Sequence, residues 1–389
     1  MAPSFKPLFS RALSLDPDRL HFAAHSHHLW PDASFDGQMR AWEEANRHAD
    51  RKWDLVFGEV IPEARANVAA ELGLPDPSSV VFASNTHDFL VRIFSGLERR
   101  PARVLTSEGE FHSFRRQGQR WEEAGQVEIT RVPLEPFDSF GERFVEAARG
   151  GDFEVILVSQ VFYRTGQVFD RLDELAALAD PGGPWVIVDG YHGFMGVPTD
   201  LSRLGDRLFY VAGGYKYAMS GEGAGFLHAP PSFCPRPVIT GWFAEFGDLQ
   251  GPPGGVGYLA DAGRFWGATF DVSALYRFNG VRRMLADQGL DTSAVALHAR
   301  RLMELFQGAV RRGDCGRLGD ARLINPVEHD GKHARFLAFQ HRQAAVWKAA
   351  LEAANVITDV RDDTLRFGFG LYQDEADVER LIEICRRTL

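Results

Sequence analysis

The sequence is poor in cysteine and contains no paired cysteine motif. Its 389 residues include three cysteines, Cys234, Cys315 and Cys385, which lie far apart and form no CxxC pair. An odd number of widely spaced cysteines argues against a disulfide framework and against a zinc knuckle. Free thiols persist in a reducing compartment, so we expect the protein in the cytoplasm.

The sequence also has no surplus of positive charge and no long apolar run. The formal net charge is -10, and no cluster of basic residues occurs. Nucleic acids and anionic membranes both attract basic surfaces, so we expect neither as a partner. No stretch reaches the ~20 apolar residues of a membrane helix, and the N-terminus lacks the apolar run of a signal peptide. With 45% hydrophobic and 25% charged residues, the composition is that of a globular protein.

What the sequence does contain is a regular alternation of short apolar runs and amphipathic stretches. This alternation predicts a largely parallel sheet with helices on both faces. The predicted strands are 79–83, 102–107, 126–132, 153–160, 185–189, 207–211 and 223–229. Residues 1–35 and the segment 230–258, which is rich in proline, glycine and aromatics, are predicted as loops. A later βαββα pattern, whose last helix is capped by Asp374, predicts a smaller separate domain.

An acid and a lysine follow two consecutive strands of the predicted sheet. Asp189 ends the first strand, His192 comes three residues later, and Lys216 follows the second strand after Gly-Gly-Tyr. A lysine among glycines and aromatics is poorly solvated, so its amine pKa falls, as Schiff-base chemistry requires. A nearby aspartate can keep a pyridine nitrogen protonated. The pair predicts a site for pyridoxal 5′-phosphate (PLP).

The strand 79–83 runs into a short polar turn that opens a helix. The turn is Ser84-Asn85-Thr86, followed by His87-Asp88. Hydroxyls, backbone amides and the helix dipole converge on an anion at such a point, so a phosphate site is one interpretation. An ordinary helix N-cap is the other.

Four histidines lie close together near the N-terminus: His21, His25, His27 and His28. One short loop rarely aims three imidazoles at a single metal without acidic or cysteine partners. We therefore expect no metal site here, and interpret these residues as substrate-facing or surface groups.

Five segments complete a recognisable pattern. They are VFYRTGQ (161–167), VDGYHGFMGVPTDL with GGYKYAMSGEGAGFLH (188–201 and 213–228), ITGWF (239–243) and RFGFGLY (366–372). In order and spacing they resemble the fold-type I PLP enzymes of the class V aminotransferase superfamily, and most closely the kynureninases. The resemblance spans residues from about Trp42 to the C-terminus.

The resemblance implies an α/β fold whose large domain holds a mostly parallel seven-stranded sheet flanked by helices. We expect residues 1–45 to pack on the small domain and the active site. Residues 46–280 would form the large PLP-binding domain, and residues 281–389 a smaller α+β C-terminal domain. The family also implies a homodimer with shared active sites.

For the cofactor, the resemblance implies that Lys216 forms the Schiff base and moves a proton at the substrate α-carbon. Asp189 would pair with the pyridine nitrogen, and His192 would sit beside this aspartate in a catalytic or a supporting role. Phe111 would stack on the cofactor ring. The implied phosphate and neighbouring cofactor contacts are Asn85, Thr86, Tyr215, Trp242 and Thr269, of which the last two form a pair that the neighbouring subunit often contributes.

For the substrate, the resemblance implies that Arg366 grips the α-carboxylate, with Ser26 and Tyr163 also in the substrate site. His48 would lie near an aromatic end of the substrate. Two departures concern substrate recognition. The family's Asn-Ser-Leu-Gly turn is His25-Ser26-His27-His28 here, and an asparagine that meets the aromatic part is replaced by Thr269.

The expected reaction is hydrolysis of the β,γ carbon–carbon bond of kynurenine or a related amino acid, giving alanine and an aromatic acid. The alternatives are transamination, β-elimination by a C–S lyase, a non-catalytic ligand-binding protein, and a histidine-based metal protein. A cysteine desulfurase would need a cysteine in a glycine-rich loop. None lies there, although Cys315 follows Gly313 and Asp314 in a turn that ends a helix.

Overall fold

The structure is a computed structural model that describes residues 4–246, 255–328 and 331–389. The predicted loop 230–258 therefore lies partly outside the described residues, at 247–254. The β-strands are β1 (Leu20–His21), β2 (Val80–Ala83), β3 (Ala102–Ser107), β4 (Val127–Val132), β5 (Val155–Ser159), β6 (Trp185–Asp189), β7 (Leu208–Gly213), β8 (Gly225–His228), β9 (Arg322–Leu323), β10 (Phe336–Gln340), β11 (Val356–Ile357), β12 (Asp359–Arg361) and β13 (Thr364–Gly368).

Helices connect and cover these strands. They are α1 (Ser10–Ser14), α2 (Asp32–His48), α3 (Lys52–Leu55), α4 (Ile61–Leu72), α5 (Thr86–Ser95), α6 (His112–Glu123), α7 (Phe140–Gly150), α8 (Leu172–Ala176), α9 (Ser273–Asp287), α10 (Thr292–Arg311), α11 (Ala344–Ala353) and α12 (Glu375–Thr388). None of them, in the part of the chain that the structure describes, has the length and apolar character needed to cross a membrane.

The central sheet has seven strands in the order β2-β8-β7-β6-β5-β3-β4. Strands β3 to β7 pair in parallel, whereas β8 runs antiparallel to both β7 and β2. Every residue of β5 and of β7 is buried, because helices cover both faces of the sheet. The prediction of a mostly parallel seven-stranded sheet is confirmed.

The register of the sheet brings polar residues together at one edge. Ser159 at the end of β5 lies beside Asp189 at the end of β6, and Asp189 lies beside Val211 of β7. Lys216 follows β7 by three residues. Ligands of open parallel sheets bind at the carboxyl ends of the strands, so this edge is where a site is expected.

A second, antiparallel sheet has the order β12-β13-β10-β9. Its apolar residues pack with α10, α11 and α12 in a separate buried cluster that includes Phe306, Phe339 and Phe367. As predicted, Asp374 caps α12, and its side chain and that of Asp377 form a capping box. Strand β13 of this sheet contains Arg366.

The N-terminal residues contain more regular structure than the predicted loop. β1 pairs in parallel with β11, and Ala23 forms a bridge to Gly368 on β13. A two-residue strand is too short to show an alternating pattern, and its partner lies more than 300 residues away, so the sequence gives no local signal for it. The pairing fixes the histidine-rich turn against the smaller sheet.

The predicted domain boundaries stay predictions. The N-terminal segment contributes to both large apolar clusters, with Phe9 in the cluster of the seven-stranded sheet and Phe22 in that of the smaller sheet. The predicted boundary at residue 280 falls inside α9, whose buried Leu285 packs with the larger cluster.

Candidate active site

A cavity of about 440 Å³ opens at the carboxyl edge of the large sheet. It collects most of the predicted site residues: Ser26, Asn85, Thr86, Phe111, Tyr163, Asp189, His192, Tyr215, Lys216 and Arg366. They come from the N-terminal turn, both sheets and the start of α5. The fold therefore brings residues that are widely separated in sequence, from Ser26 to Arg366, to one place.

Lys216 lies at the floor of this cavity with 9% of its surface exposed. Its amine contacts His192 Nε2 and lies 5.2 Å from the ring centroid of Tyr191 and 5.5 Å from that of Phe111. Burial, reinforced by the positive charge of Arg366, lowers the pKa of the Lys216 amine to about 7, although Asp189 opposes the shift. A large fraction of the amine is therefore uncharged and nucleophilic near neutral pH.

Asp189 has one carboxylate oxygen available to a ligand. Its Oδ1 accepts a 2.9 Å hydrogen bond from the Tyr191 amide, and no other donor among the described residues binds the carboxylate. Burial raises the pKa of this acid, while Lys216 opposes the increase. A protonated ring nitrogen bound at the free oxygen would hold the acid ionised.

His192 lies beside Lys216 as a neutral imidazole. Burial, followed by the charge of Lys216, lowers its pKa well below the usual 6.5. Its Nε2 contacts the lysine, while the buried Nδ1 has no hydrogen-bond partner among the described residues. The structure thus brings His192 to the site, and its role stays a prediction.

The polar turn before α5 also lines the cavity. The Asn85 side chain accepts a 3.1 Å hydrogen bond from the Asp88 amide, so it does cap the helix. Other amides of the first helical turn have no intrahelical acceptor and are the donors that a phosphate uses. A Cβ on Gly225 of β8 would lie 2.7 Å from the Asn85 backbone, so glycine there lets the turn approach the sheet. The turn can therefore cap α5 and offer amides to a phosphate at the same time.

Aromatic side chains border the same space. Phe111 stands directly before α6, and its ring meets Tyr163 edge to face at a centroid distance of 5.3 Å. The Tyr215 hydroxyl is 3.2 Å from His27 Nδ1, which links the predicted phosphate tyrosine to the histidine-rich turn. These rings supply a flat apolar wall on one side and a hydroxyl on the other.

Arg366 also lines the cavity and is 2% exposed. It pairs with Asp359 at 2.8 Å and donates a hydrogen bond to the Tyr163 carbonyl. Its buried Nε has no acceptor among the described residues. This N–H is available for a carboxylate.

Three predicted residues do not line the cavity of this chain. His48 is the last residue of α2, where the chain turns sharply at Ala49 with a φ of 49°. Trp242 is 44% exposed, and Thr269 is exposed on a segment whose Gly267 backbone lies against that of Gly241. Trp242 and Thr269 therefore share one surface region, and the roles of all three stay predictions.

The sequence interpretation missed some residues of the site. Ser159 and Tyr191 line the cavity, and the rule of strand ends was a sufficient signal for both. Arg361 also lines it, although its short strand β12 gave no periodic signal. Among the described residues, no three His, Cys, Asp or Glu side chains are grouped as metal ligands.

The sequence interpretation also missed Glu110, a buried acid that is hydrogen-bonded to the cavity residue Ser159. It accepts hydrogen bonds from the hydroxyls of Ser107 at 2.5 Å and Ser159 at 2.6 Å. Burial raises its pKa to about 7, although these hydrogen bonds oppose the shift. Glu110 thereby joins the ends of β3 and β5 beside Asp189.

A family model described as aminotransferase class V matches residues 45–381, which is most of the chain. The chain belongs to the class V aminotransferase family. It is therefore a PLP-dependent enzyme of fold type I. The geometry fits the cofactor, since an uncharged amine, a free aspartate oxygen, an aromatic wall and a helix N-terminus face one cavity.

The relatives of this class V enzyme differ in activity. A probable cysteine desulfurase of Vibrio cholerae is 24% identical over 349 residues, 84% of this chain and 82% of the relative. A kynureninase of Bacillus cereus is 27% identical over 267 residues, 67% of this chain and 60% of the relative. The resemblance to kynureninases is thus supported only in part.

Solved structures show the same fold. A mutant of C-DES, with glycine covalently linked to its PLP cofactor, superposes with a TM-score of 0.81 at 15% identity over 100% of both chains. The cystine C–S lyase C-DES in complex with cysteine persulfide has a TM-score of 0.79 at 15% identity, covering 97% of this chain and 100% of that one. The cysteine desulfurase CsdA of Escherichia coli has a TM-score of 0.77 at 17% identity, covering 99% of each chain.

The three cysteines of the class V enzyme are all buried. Cys234 is 1% exposed, and Cys315 and Cys385 are fully buried. Burial raises the pKa of Cys234 and of Cys315 to about 12. None of them lines the cavity, so no thiolate is available there.

Proposed function

We propose that this protein is a PLP-dependent carbon–sulfur lyase that eliminates a sulfur substituent from the β-carbon of an amino acid. Cysteine desulfurases among the relatives and the fold of a cystine C–S lyase support sulfur chemistry at the β-carbon. The observation that favours elimination over desulfuration is the absence of a thiol at the cavity. The β-eliminating alternative is thus better supported than the hydrolysis expected from sequence.

Three residues of the cavity have separate roles in the proposed reaction. Arg366 binds the substrate carboxylate through its unpaired Nε–H. Lys216, uncharged because of burial, accepts the proton from the α-carbon. PLP supplies the electron sink for the charge at that carbon, and Asp189 keeps its ring nitrogen protonated.

The elimination balances without any further reactant than water. The α-carbon loses its proton to Lys216, the Cβ–S bond breaks, and sulfur leaves with the bonding electrons. The remaining three-carbon fragment takes up water and yields pyruvate and ammonia. With cystine, the leaving group is cysteine persulfide.

Desulfuration requires a reactive thiolate beside the substrate, and the cysteines of this chain do not supply one. Transfer of sulfur to the protein needs a thiolate that attacks the substrate sulfur and leaves alanine behind. The buried cysteines with raised pKa values do not provide one.

Hydrolysis of kynurenine is the second candidate. It is supported by kynureninases of Bacillus cereus and Bacillus anthracis, which are 27% and 28% identical over 67% and 60% of this chain. The two residues assigned to an aromatic substrate end, His48 and Thr269, do not line the cavity of this chain. A kynurenine site would have to be completed by another subunit.

We also propose that the protein is a cytoplasmic homodimer. The segment that holds Trp242 exposes further apolar side chains, with Val238 at 77%, Ile239 at 46% and Phe246 at 38% exposure. Such a patch is typical of a protein interface. A subunit docked on it would cover Trp242 and Thr269, as the family resemblance implies.

A substrate comparison tests the proposed reaction. Holo-protein is incubated with L-cystine, L-cysteine and L-kynurenine, while pyruvate is followed by coupled NADH oxidation and anthranilate by fluorescence. We expect pyruvate from the sulfur substrates and none from a Lys216→Ala control. Anthranilate with no pyruvate would instead establish the hydrolase.

A thiol-free variant separates lyase from desulfurase. In Cys234→Ala/Cys315→Ala/Cys385→Ala we expect pyruvate formation within about threefold of wild type, provided that circular dichroism shows a folded protein. Loss of turnover in this folded variant would reveal a catalytic thiol and contradict the lyase.

A further inference from the structure

His25 is a buried cavity residue to which the catalytic steps assign no role. Its ring is fully buried and stacks on Phe336 with a centroid distance of 4.5 Å and an interplanar angle of 23°. Its Nδ1 lies against Gly368 so closely that a Cβ there would overlap the ring. Stacking on one side and a glycine on the other hold the imidazole in one position.

This position is next to Arg366. Arg366 and Gly368 are two residues apart on β13, so they point to the same face of the strand. The Arg366 guanidinium carbon lies 5.6 Å from the centroid of Phe336, the ring on which His25 stacks. The imidazole and the guanidinium thus both contact Phe336 and both line the cavity, and the guanidinium charge is close enough to lower the pKa of His25.

Both neighbours carry unused hydrogen-bonding groups. Neither ring nitrogen of His25 nor Nε of Arg366 has a partner among the described residues. A buried polar group without a partner costs free energy, so such a group normally serves a ligand when it lines a site.

The charge state of His25 limits what it does. Burial, and then the charge of Arg366, lowers the pKa of the imidazole well below 6.5. The ring is therefore neutral at physiological pH, with one N–H donor and one lone pair, and is a poor general acid. It binds rather than transfers a proton.

We propose that His25 is a specificity-determining residue that donates a hydrogen bond to the substrate carboxylate held by Arg366. A carboxylate has two acceptor oxygens, so it satisfies the Arg366 Nε–H and the imidazole N–H together. The inference rests on the proposed function only in requiring an amino acid as ligand. It assigns a purpose to the histidine that replaces the asparagine of the family turn.

The test measures discrimination between a carboxylate and its amide. L-alanine and L-alaninamide are titrated into holo-protein, and binding is read from the visible absorbance of the cofactor. Neither probe has a sulfur leaving group, so both bind whether or not the protein is a lyase. The ratio of the amide Kd to the acid Kd is compared among variants.

In His25→Phe, which retains an aromatic stack on Phe336, we expect the ratio to fall by about tenfold, since a hydrogen bond to a charged group is lost. His25→Gln retains a donor and should stay within about threefold of wild type. His28→Phe is the matched control, because His28 is a buried histidine of the same turn whose ring does not line the cavity. It should leave the ratio unchanged.

Two results overturn the proposal. An unchanged ratio in His25→Phe would show that the imidazole does not contact the carboxylate. An equal fall in His25→Gln and His25→Phe would show that packing, and not the hydrogen bond, matters. His25→Leu repeats the test if the phenylalanine variant loads no cofactor. Failure of the lyase itself would appear separately, as no pyruvate from wild type.

Discussion

The Lys216 amine is reactive because the fold removes it from water. The glycines and aromatics that flank Lys216 in sequence indicate that its amine is poorly solvated. Asp189, at the end of a strand, indicates the acid that lies near this amine. These two residues were predictable because strand ends and local composition are local signals. Glu110 was not, since its partner Ser159 lies on a different strand. The sequence indicated His25 as a substrate-facing or surface residue, but not its stacking on the distant Phe336.

The lowered pKa of Lys216 predicts how cofactor attachment depends on pH. Only the uncharged amine attacks the aldehyde, so the rate of PLP attachment to apo-protein should rise about tenfold per pH unit below pH ~7 and level off above it. Stopped-flow absorbance gives the rate.

Asp189→Asn provides the control for this profile. Because the Asp189 charge raises the lysine pKa, its removal should move the inflection to lower pH. An inflection near pH 10.5 in wild type would show that the amine is solvated like an ordinary lysine.

At the scale of elements, the sheet registers decide which side chains meet. Strand positions were predictable to within one or two residues, as with 102–107, because apolar runs are local. The two-residue strands β1 and β9 were not, since no period is visible in two residues. β1 pairs with a segment more than 300 residues away and leads into the turn that holds His25.

Glu110 connects the ends of β3 and β5 and predicts a pH effect on stability. Its folded pKa of about 7 lies above the usual 4.5, so the folded state retains the proton longer than the unfolded chain. The proton on Glu110 therefore stabilises the folded wild-type protein fully below pH 4.5. This stabilisation is lost as the pH rises through 7. Glu110→Gln lacks this titration.

We thus expect the free energy of unfolding of Glu110→Gln, relative to wild type, to increase by about 2 to 3 kcal/mol between pH 5 and pH 8. Urea unfolding at both pH values measures it. A difference that does not change with pH would mean that Glu110 is already ionised at pH 5 in the folded protein.

Close packing at Gly225 on β8 predicts that a larger side chain there disturbs the polar turn before α5, which is the predicted phosphate site. A Cβ would lie 2.7 Å from the Asn85 backbone, so Gly225→Ala must displace the turn at the start of α5. Overpacking of this kind costs about 1–3 kcal/mol, and we expect PLP to bind about tenfold more weakly.

Gly58→Ala is the matched control, because no atom lies within 4 Å of a Cβ at that position. Equilibrium titration of apo-protein with PLP compares the two variants. Equal affinity in both would show that the turn does not position the phosphate.

At the scale of the molecule, the fold class and the cofactor followed from the order of segments, because the sheet and its Lys–Asp pair depend on many residues at once. The reaction did not follow, because it depends on few residues. The buried cysteines argue against a desulfurase, and burial is not visible in a single sequence.

The exposed patch at 238–246 predicts the assembly. Wild type should behave as a particle of twice the 43.4 kDa chain mass in multi-angle light scattering. Trp242→Asp places a charge in the patch and should produce monomers with less than a tenth of wild-type turnover.

Leu15→Asp is its control, because Leu15 is equally apolar and 85% exposed but lies outside the patch. It should remain a dimer. A monomeric and fully active wild type would exclude a shared active site.

The central claim, elimination at the β-carbon, is tested most directly by the three-carbon product of a single turnover. Holo-protein in excess over L-cystine is quenched, and the product is identified by mass spectrometry. We expect pyruvate in an amount equal to the cystine consumed, and none with Lys216→Ala. Alanine in place of pyruvate would mean that sulfur is transferred to a thiol and would rule out elimination at the β-carbon.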